Sequence, residues 1–126
     1  MVPTILVVDD DYDIRTVMRL VLEHAGYSVL VAADGEEALD AFEQYQDCIA
    51  LLLTDVVMPR MNGFDLADRV LKFDSQVPVV FMSGSVIDAD RGFGCIAKPF
   101  KPNELIGRVR KVLEENELRT KSSAAS

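Results

Sequence analysis

LLLTDVVMPRMNG, residues 51–63, runs from three leucines through a lone aspartate into a loop punctuated by proline and glycine. With Ile49 and Ala50 before it, the apolar part is a continuous run of strand length, the pattern expected where both faces of a strand are covered. Asp55 ends that run, which places its carboxylate at the carboxyl end of a buried strand. Met58-Pro59 and Asn62-Gly63 carry turn chemistry, and after Gly63 the residues Phe64, Ala67, Val70 and Leu71 recur at the spacing of one helical face. Strand, loop and helix in this order form the first part of a βαβ unit.

The same alternation extends to both ends of the chain. Apolar runs at Ile5 to Val8, Ser28 to Ala32, Ile49 to Thr54, Val77 to Met82 and Cys95 to Ala97 predict five strands. Ile14, Val17, Met18, Val21 and Leu22 predict a first helix stopped by Gly26; Ala38, Leu39, Phe42 and Tyr45 predict a second after the Asp34-Gly35 turn. Leu105, Ile106, Val109, Val112 and Leu113 predict a last helix, with Pro102 near its start where a missing N–H does no harm. Strands alternating with helices imply an α/β fold: a doubly wound, flavodoxin-like parallel sheet of five strands in the order 2-1-3-4-5, with helices on both faces. Between strands four and five the eleven residues from Gly84 to Gly94, three of them glycine, are too few for a crossover with a full helix. Such crossovers need about a dozen residues or more, so the fourth helix is expected to be shortened or missing.

A chain of 126 residues closes one core, so a single site should carry the function. We expect a domain over residues 1–118 and a flexible polar tail or linker over 119–126, because the apolar pattern fades into ELRTKSSAAS. The net charge of −8 repels nucleic-acid phosphates and anionic lipid, so direct contact with nucleic acid or membrane is not expected, and a protein partner is. No basic leader and no long apolar run is present, from which a cytoplasmic location is expected. Cys48 and Cys95 stand in no CxxC or Cys/His pattern and are expected to be buried free thiols. His24 is expected to be a solvated residue near the end of the first helix.

In a doubly wound sheet ligands bind at the carboxyl ends of the strands. Strand one ends in Asp9, Asp10 and Asp11, strand three in Asp55, strand four in Ser83 and strand five in Lys98. Carboxylates gathered from two strands repel one another unless a cation offsets them. A hard divalent ion is the natural offset, since Mg²⁺ takes one or two protein carboxylates, keeps waters and leaves room for phosphate oxygens. Lys98 supplies a point charge for a phosphoryl oxygen and Ser83 a hydrogen bond. An aspartate can itself be the nucleophile in phosphoryl transfer, catalysis then being mainly positioning and charge neutralisation. Asp11 is placed to cap the first helix.

Laid out this way, the chain resembles the receiver domains of bacterial two-component response regulators over roughly Thr4 to Glu114. ILVVDDD matches the family's acidic pair at Asp9 and Asp10, LLLTDVVMPRMNG its phospho-acceptor at Asp55, FMSG its hydroxyl at Ser83, and AKPF its lysine at Lys98, with Pro99 often cis. The resemblance implies that a histidine kinase or histidine phosphotransfer protein donates a phosphoryl group to Asp55. It implies Mg²⁺ (or Mn²⁺) held by Asp10, Asp55 and the backbone carbonyl of Val57, with Asp9 acting through a metal-bound water. Catalysis would extend only to the protein's own phosphorylation and dephosphorylation, and phosphorylation would switch binding to an unknown output protein or covalently linked domain.

Three positions depart from the family pattern. Cys95 stands three residues before the lysine, where many relatives carry an aromatic switch, so aromatic switching is not expected. The short Gly84 to Gly94 segment removes most of the helix many receivers use for docking, so output is expected from another face, such as helix one or a rebuilt loop. Val57 is apolar where relatives often orient water, which predicts a long-lived phosphoryl state. An alternative is a receiver-like interaction module independent of phosphorylation. A phosphatase of the haloacid dehalogenase type should carry a second aspartate where Val57 stands, and a flavin-binding module would have its phosphate repelled by Asp9 to Asp11.

Overall fold

The computed structural model describes residues 2–84 and 94–125, with side chains as far as 119. Five parallel strands, β1 (Thr4–Val8), β2 (Ser28–Ala32), β3 (Ile49–Asp55), β4 (Val79–Ser83) and β5 (Cys95–Ala97), form one sheet in the order β2-β1-β3-β4-β5. Around it lie α1 (Tyr12–His24), α2 (Gly35–Tyr45), α3 (Gly63–Phe73) and α4 (Pro102–Ala125). The doubly wound order read from the sequence is the one observed.

Alternation along each strand divides the core in two. Leu6, Val8, Leu52 and Phe81 turn to one face and pack under α2 and α3 with Phe42, Leu66 and Val70. Ile5, Val7, Leu53 and Met82 turn to the other, under α1 and α4 with Met18, Leu22, Leu105 and Val109. Because successive strand residues point to opposite faces, a strand buried on both must be apolar throughout, which is why the runs were continuous.

Each early helix starts on a side chain suited to cap it. Asp11 accepts from the amides of Asp13 and Ile14, Asp34 from that of Glu37, and Asn62 from that of Asp65. Gly26 takes φ +102° just after α1, a conformation that favours glycine. The peptide between Lys98 and Pro99 is cis, in line with the resemblance.

Some expectations need correction. Cys48 is exposed and Cys95 only half-buried, although both are free thiols. Cys48 lies in the turn before β3, and burial starts at Ile49, the first residue paired into the sheet. Val17, Tyr45 and Leu71, placed on buried stripes, are exposed: periodicity picks the apolar side of a helix, but only its centre meets the sheet. The last helix continues to Ala125 through the polar stretch, which is rich in good helix formers and extends a helix already begun. The shortened crossover expected between β4 and β5 falls on residues 85–93, outside the described residues. Among the described residues no helix is long and apolar enough to cross a membrane.

Candidate functional site

β1 and β3 are adjacent, so the residues ending them meet. Asp9 continues β1 by donating its amide to the Ala32 carbonyl and is wholly buried, whereas Asp10, where the chain leaves the sheet, is exposed. Asp55 closes β3 opposite Met82 of β4 and is 7% exposed. Carboxylate oxygens of Asp9, Asp10 and Asp55 all lie within 4.8 Å of one another. From the β5 side the Lys98 ammonium donates to Asp9 Oδ2 at 2.6 Å and stands 3.1 Å from Asp55 Oδ2. Ser83 ends β4, 2% exposed, and its carbonyl accepts from the Lys98 amide at 2.9 Å. Five of the residues singled out in the sequence thus gather at one end of the sheet. Val57 follows at the mouth, 70% exposed, its amide 3.4 Å from Asp55 Oδ1. His24 is exposed in the last turn of α1, away from these strand ends.

One ammonium among three carboxylates leaves an excess of negative charge. Burial raises the Asp55 carboxyl above the ordinary carboxylate value, although Lys98 pulls it down; Asp9 adds repulsion. Burial lowers the Lys98 ammonium, but its bonds to Asp9 and Asp55 outweigh that and leave it above the ordinary lysine value. These shifts give the sign of each group's contribution to the pH dependence of stability. An acid whose pKa is raised on folding binds its proton more tightly when native, so ionised Asp55 opposes folding at neutral pH, and the opposition fades as pH falls through its native value. Lys98 contributes stability in full below its unfolded value of 10.5 and loses it as pH rises through its higher native value. In metal-free buffer Asp55→Asn is therefore expected to be more stable than the wild type near neutrality. The gap should narrow as pH falls toward about 4, and urea midpoints across that range measure it.

The donor set suits a hard divalent ion. All donors are carboxylate oxygens, two are buried against a single lysine, and the third, Asp10, faces solvent where an ion and its waters have room. The arrangement can hold a cation and present an aspartate to an incoming electrophile.

Other residues shape the site without having been singled out. The Thr54 hydroxyl donates to the Asp55 carbonyl at 2.9 Å. A Cβ on Gly63 would come within 2.3 Å of that same carbonyl, so the loop after β3 closes only on a glycine. Met61 packs over Gly35, and Arg60, at φ +69°, pairs with Asp34 at 3.0 Å, tying the loop to the start of α2. Arg15 donates to the Asp9 carbonyl at 2.7 Å. A cation in the first turn of a helix, against the dipole, was the one sequence signal for it. Beside Lys98, the side chains of Ile14, Val17, Pro99 and Phe100 line an open, mainly apolar groove.

The comparisons with known proteins agree with this geometry. The response regulator receiver domain model matches residues 5–110. The transcriptional regulatory protein CpxR of Escherichia coli K12 is 38% identical over 119 residues, which cover 89% of this chain and 50% of that protein. The DNA-binding response regulator MtrA of Mycolicibacterium smegmatis is 39% identical over 120 residues, 90% of this chain and 51% of that one. The chain thus spans about half the length of the curated relatives it matches. Among solved structures, the receiver domain of the hybrid histidine kinase CckA superposes with a TM-score of 0.79 at 37% identity, covering 87% of this chain and 98% of that one. An acidic pair, a buried aspartate and a lysine at the strand ends of a 2-1-3-4-5 sheet, within a sequence match over most of the chain, lead to one conclusion: the chain belongs to the response-regulator receiver-domain family.

Proposed function

We propose that Asp55 accepts a phosphoryl group from a histidine kinase or a histidine phosphotransfer protein, and that the phosphorylated domain changes its preference among partners. The observation that carries this reading is the Lys98 bridge between Asp9 and Asp55 beside the open carboxylate of Asp10. A carboxylate oxygen of Asp55 attacks phosphorus; the P–N bond to the donor histidine breaks as the acyl P–O bond forms, and the departing imidazole takes its proton from water. Burial makes Asp55 more basic than an ordinary carboxylate and so a better nucleophile. Lys98, released from Asp55, turns its charge to a phosphoryl oxygen while still held by Asp9, and Ser83 donates to another. Asp9, Asp10, Asp55 and the Val57 carbonyl would hold Mg²⁺ or Mn²⁺. That ion, when bound, supplies neutralisation of the phosphoryl oxygens and of the clustered carboxylates.

A protein donor is supported by the apolar groove of Ile14, Val17, Pro99 and Phe100 beside Lys98, with Val17 and Leu20 exposed on the same helix. A net charge of −8 argues against nucleic-acid contact by this segment; in regulators twice its length such contact would belong to another domain. We place the receiver at residues 1–118, with the rest of α4 as a linker to an output domain or a free end, and its action in the cytoplasm.

The test is direct. Incubation of the purified protein with Mg²⁺ and acetyl phosphate is expected to give one phosphoryl adduct by intact mass, absent with EDTA. No adduct, with metal binding confirmed, would favour a phosphate-independent interaction module. The hydrocarbon side chain of Val57 cannot orient an attacking water, so the adduct should persist for minutes or longer after the donor is removed. Val57→Asn is expected to hasten its loss by about tenfold; a wild-type lifetime of only seconds would contradict this role.

A further inference from the structure

We propose that Arg15 is a positioning residue for Asp10, acting through the peptide that joins Asp9 to Asp10. The three carboxylates are held in different ways. Asp9 is gripped at both oxygens, by Lys98 at 2.6 Å and by the Asp11 amide at 2.9 Å. Asp55 is held by its strand and by Lys98. The Asp10 side chain is exposed and makes no hydrogen bond or ion pair among the described residues, so only its backbone sets where its carboxylate reaches. A peptide unit is planar, which makes the Asp9 carbonyl oxygen and the Asp10 Cα parts of one rigid plate. Arg15 Nη1 donates to that oxygen at 2.7 Å, a short charge-assisted bond that fixes the plate.

Arg15 is itself anchored. Its amide bonds the Asp11 carbonyl at 3.0 Å in the first turn of α1, and its guanidinium lies 5.6 Å from the centre of the Tyr12 ring. Helix stability does not explain a cation here, because the positive end of the helix dipole disfavours it. Its hydrogen bond goes to a backbone carbonyl within the metal-binding turn.

Two roles for Arg15 differ in sign. A nearby positive charge repels a divalent cation, so if charge alone mattered, removing it would tighten metal binding. If positioning dominates, removing it frees the plate and weakens binding.

The inference rests on Asp9, Asp10 and Asp55 being a metal site, so the first measurement is Mg²⁺ titration calorimetry of the wild type and Asp10→Asn. No binding, or equal binding by both, overturns that reading and this inference with it. With the wild type binding and Asp10→Asn impaired, Arg15→Ala is expected to bind Mg²⁺ about tenfold more weakly, a loss of about 1.4 kcal/mol. Arg15→Lys, which keeps the charge and a donor on a shorter arm, should fall between, about threefold weaker than the wild type. In EDTA, exchange of the Asp11 amide, which bonds Asp9 Oδ1, should quicken in Arg15→Ala while the β3 amides keep their protection, which general destabilisation would not produce. Equal or tighter Mg²⁺ binding by Arg15→Ala overturns the inference alone. Should that variant fail to fold, wild-type affinity in Arg15→Lys does the same.

Discussion

Lys98→Met is expected to lower the stability of the metal-free protein by about 3 kcal/mol. Lys98 is the cation bonded to both Asp9 and Asp55, and those side chains are only 1% and 10% exposed. Removing one partner of a buried pair leaves charge without compensation, which destabilises far more than replacing the whole pair. The figure is at the low end of the usual range because Lys98 is 18% exposed and Asp10 opens the cluster to solvent. Two relief experiments distinguish this from lost packing. Asp9→Asn added to Lys98→Met should recover at least half the loss, although Asp9→Asn breaks a bond in the wild type. Saturating Mg²⁺ should also recover part of it, since an ion that binds only the native state stabilises by mass action. Urea unfolding of the single and double variants measures both. A loss below about 1 kcal/mol, or one untouched by Asp9→Asn, would mean that the lysine is not what balances the cluster.

The second large effect is expected at Gly63, the first residue of α3. A methyl group there would sit 2.3 Å from the Asp55 carbonyl oxygen and 3.0 Å from the Val56 Cα, both backbone atoms at the end of β3. Neither can yield cheaply, because Asp55 is paired into the sheet and the Gly63 amide bonds the Val56 carbonyl at 2.8 Å. Gly63→Ala should therefore destabilise by about 3 kcal/mol, the overpacking penalty exceeding the gain in helix propensity of about 1 kcal/mol. Since the atom displaced belongs to Asp55, the proposed acceptor, phosphorylation by acetyl phosphate should slow as well. Gly35→Ala is the control. Its methyl group would first meet the Met61 side chain, Sδ at 2.6 Å and Cβ and Cγ at 3.1 Å, which can shift more readily than a paired carbonyl, and a change of about 1 kcal/mol is expected.

Most of the sheet was legible in the sequence, for a physical reason. Strands covered on both faces are apolar along most of their length, so Ile5 to Val8 and Leu51 to Leu53 stood out, and the first charged residue after each run, Asp9 and Asp55, fell at the carboxyl edge of the sheet. The strand ends alone thus bring Asp9, Asp10, Asp55, Ser83 and Lys98 together. Contacts made by backbone were less legible. The value of Gly63 lies in the approach of a carbonyl, and Arg15 and Thr54 both bond to carbonyls, of which the sequence carries little trace beyond the cation in the first turn of α1. Helical faces were read in direction but not in width, so Val17 and Tyr45 were placed inside and lie outside. The end of α4 was not legible because a polar sequence with strong helix formers carries a helix beyond Val112, the last buried residue among those whose side chains are described.

Borohydride trapping identifies the residue that carries the phosphoryl group, which is expected to be Asp55. Reduction of an aspartyl phosphate converts that residue to homoserine, which peptide mass spectrometry locates. After treatment with acetyl phosphate and Mg²⁺, homoserine is expected at position 55 alone, and at no position in Asp55→Asn or in EDTA. Homoserine at Asp9 or Asp10, or an adduct of unchanged yield in Asp55→Asn, would contradict the account.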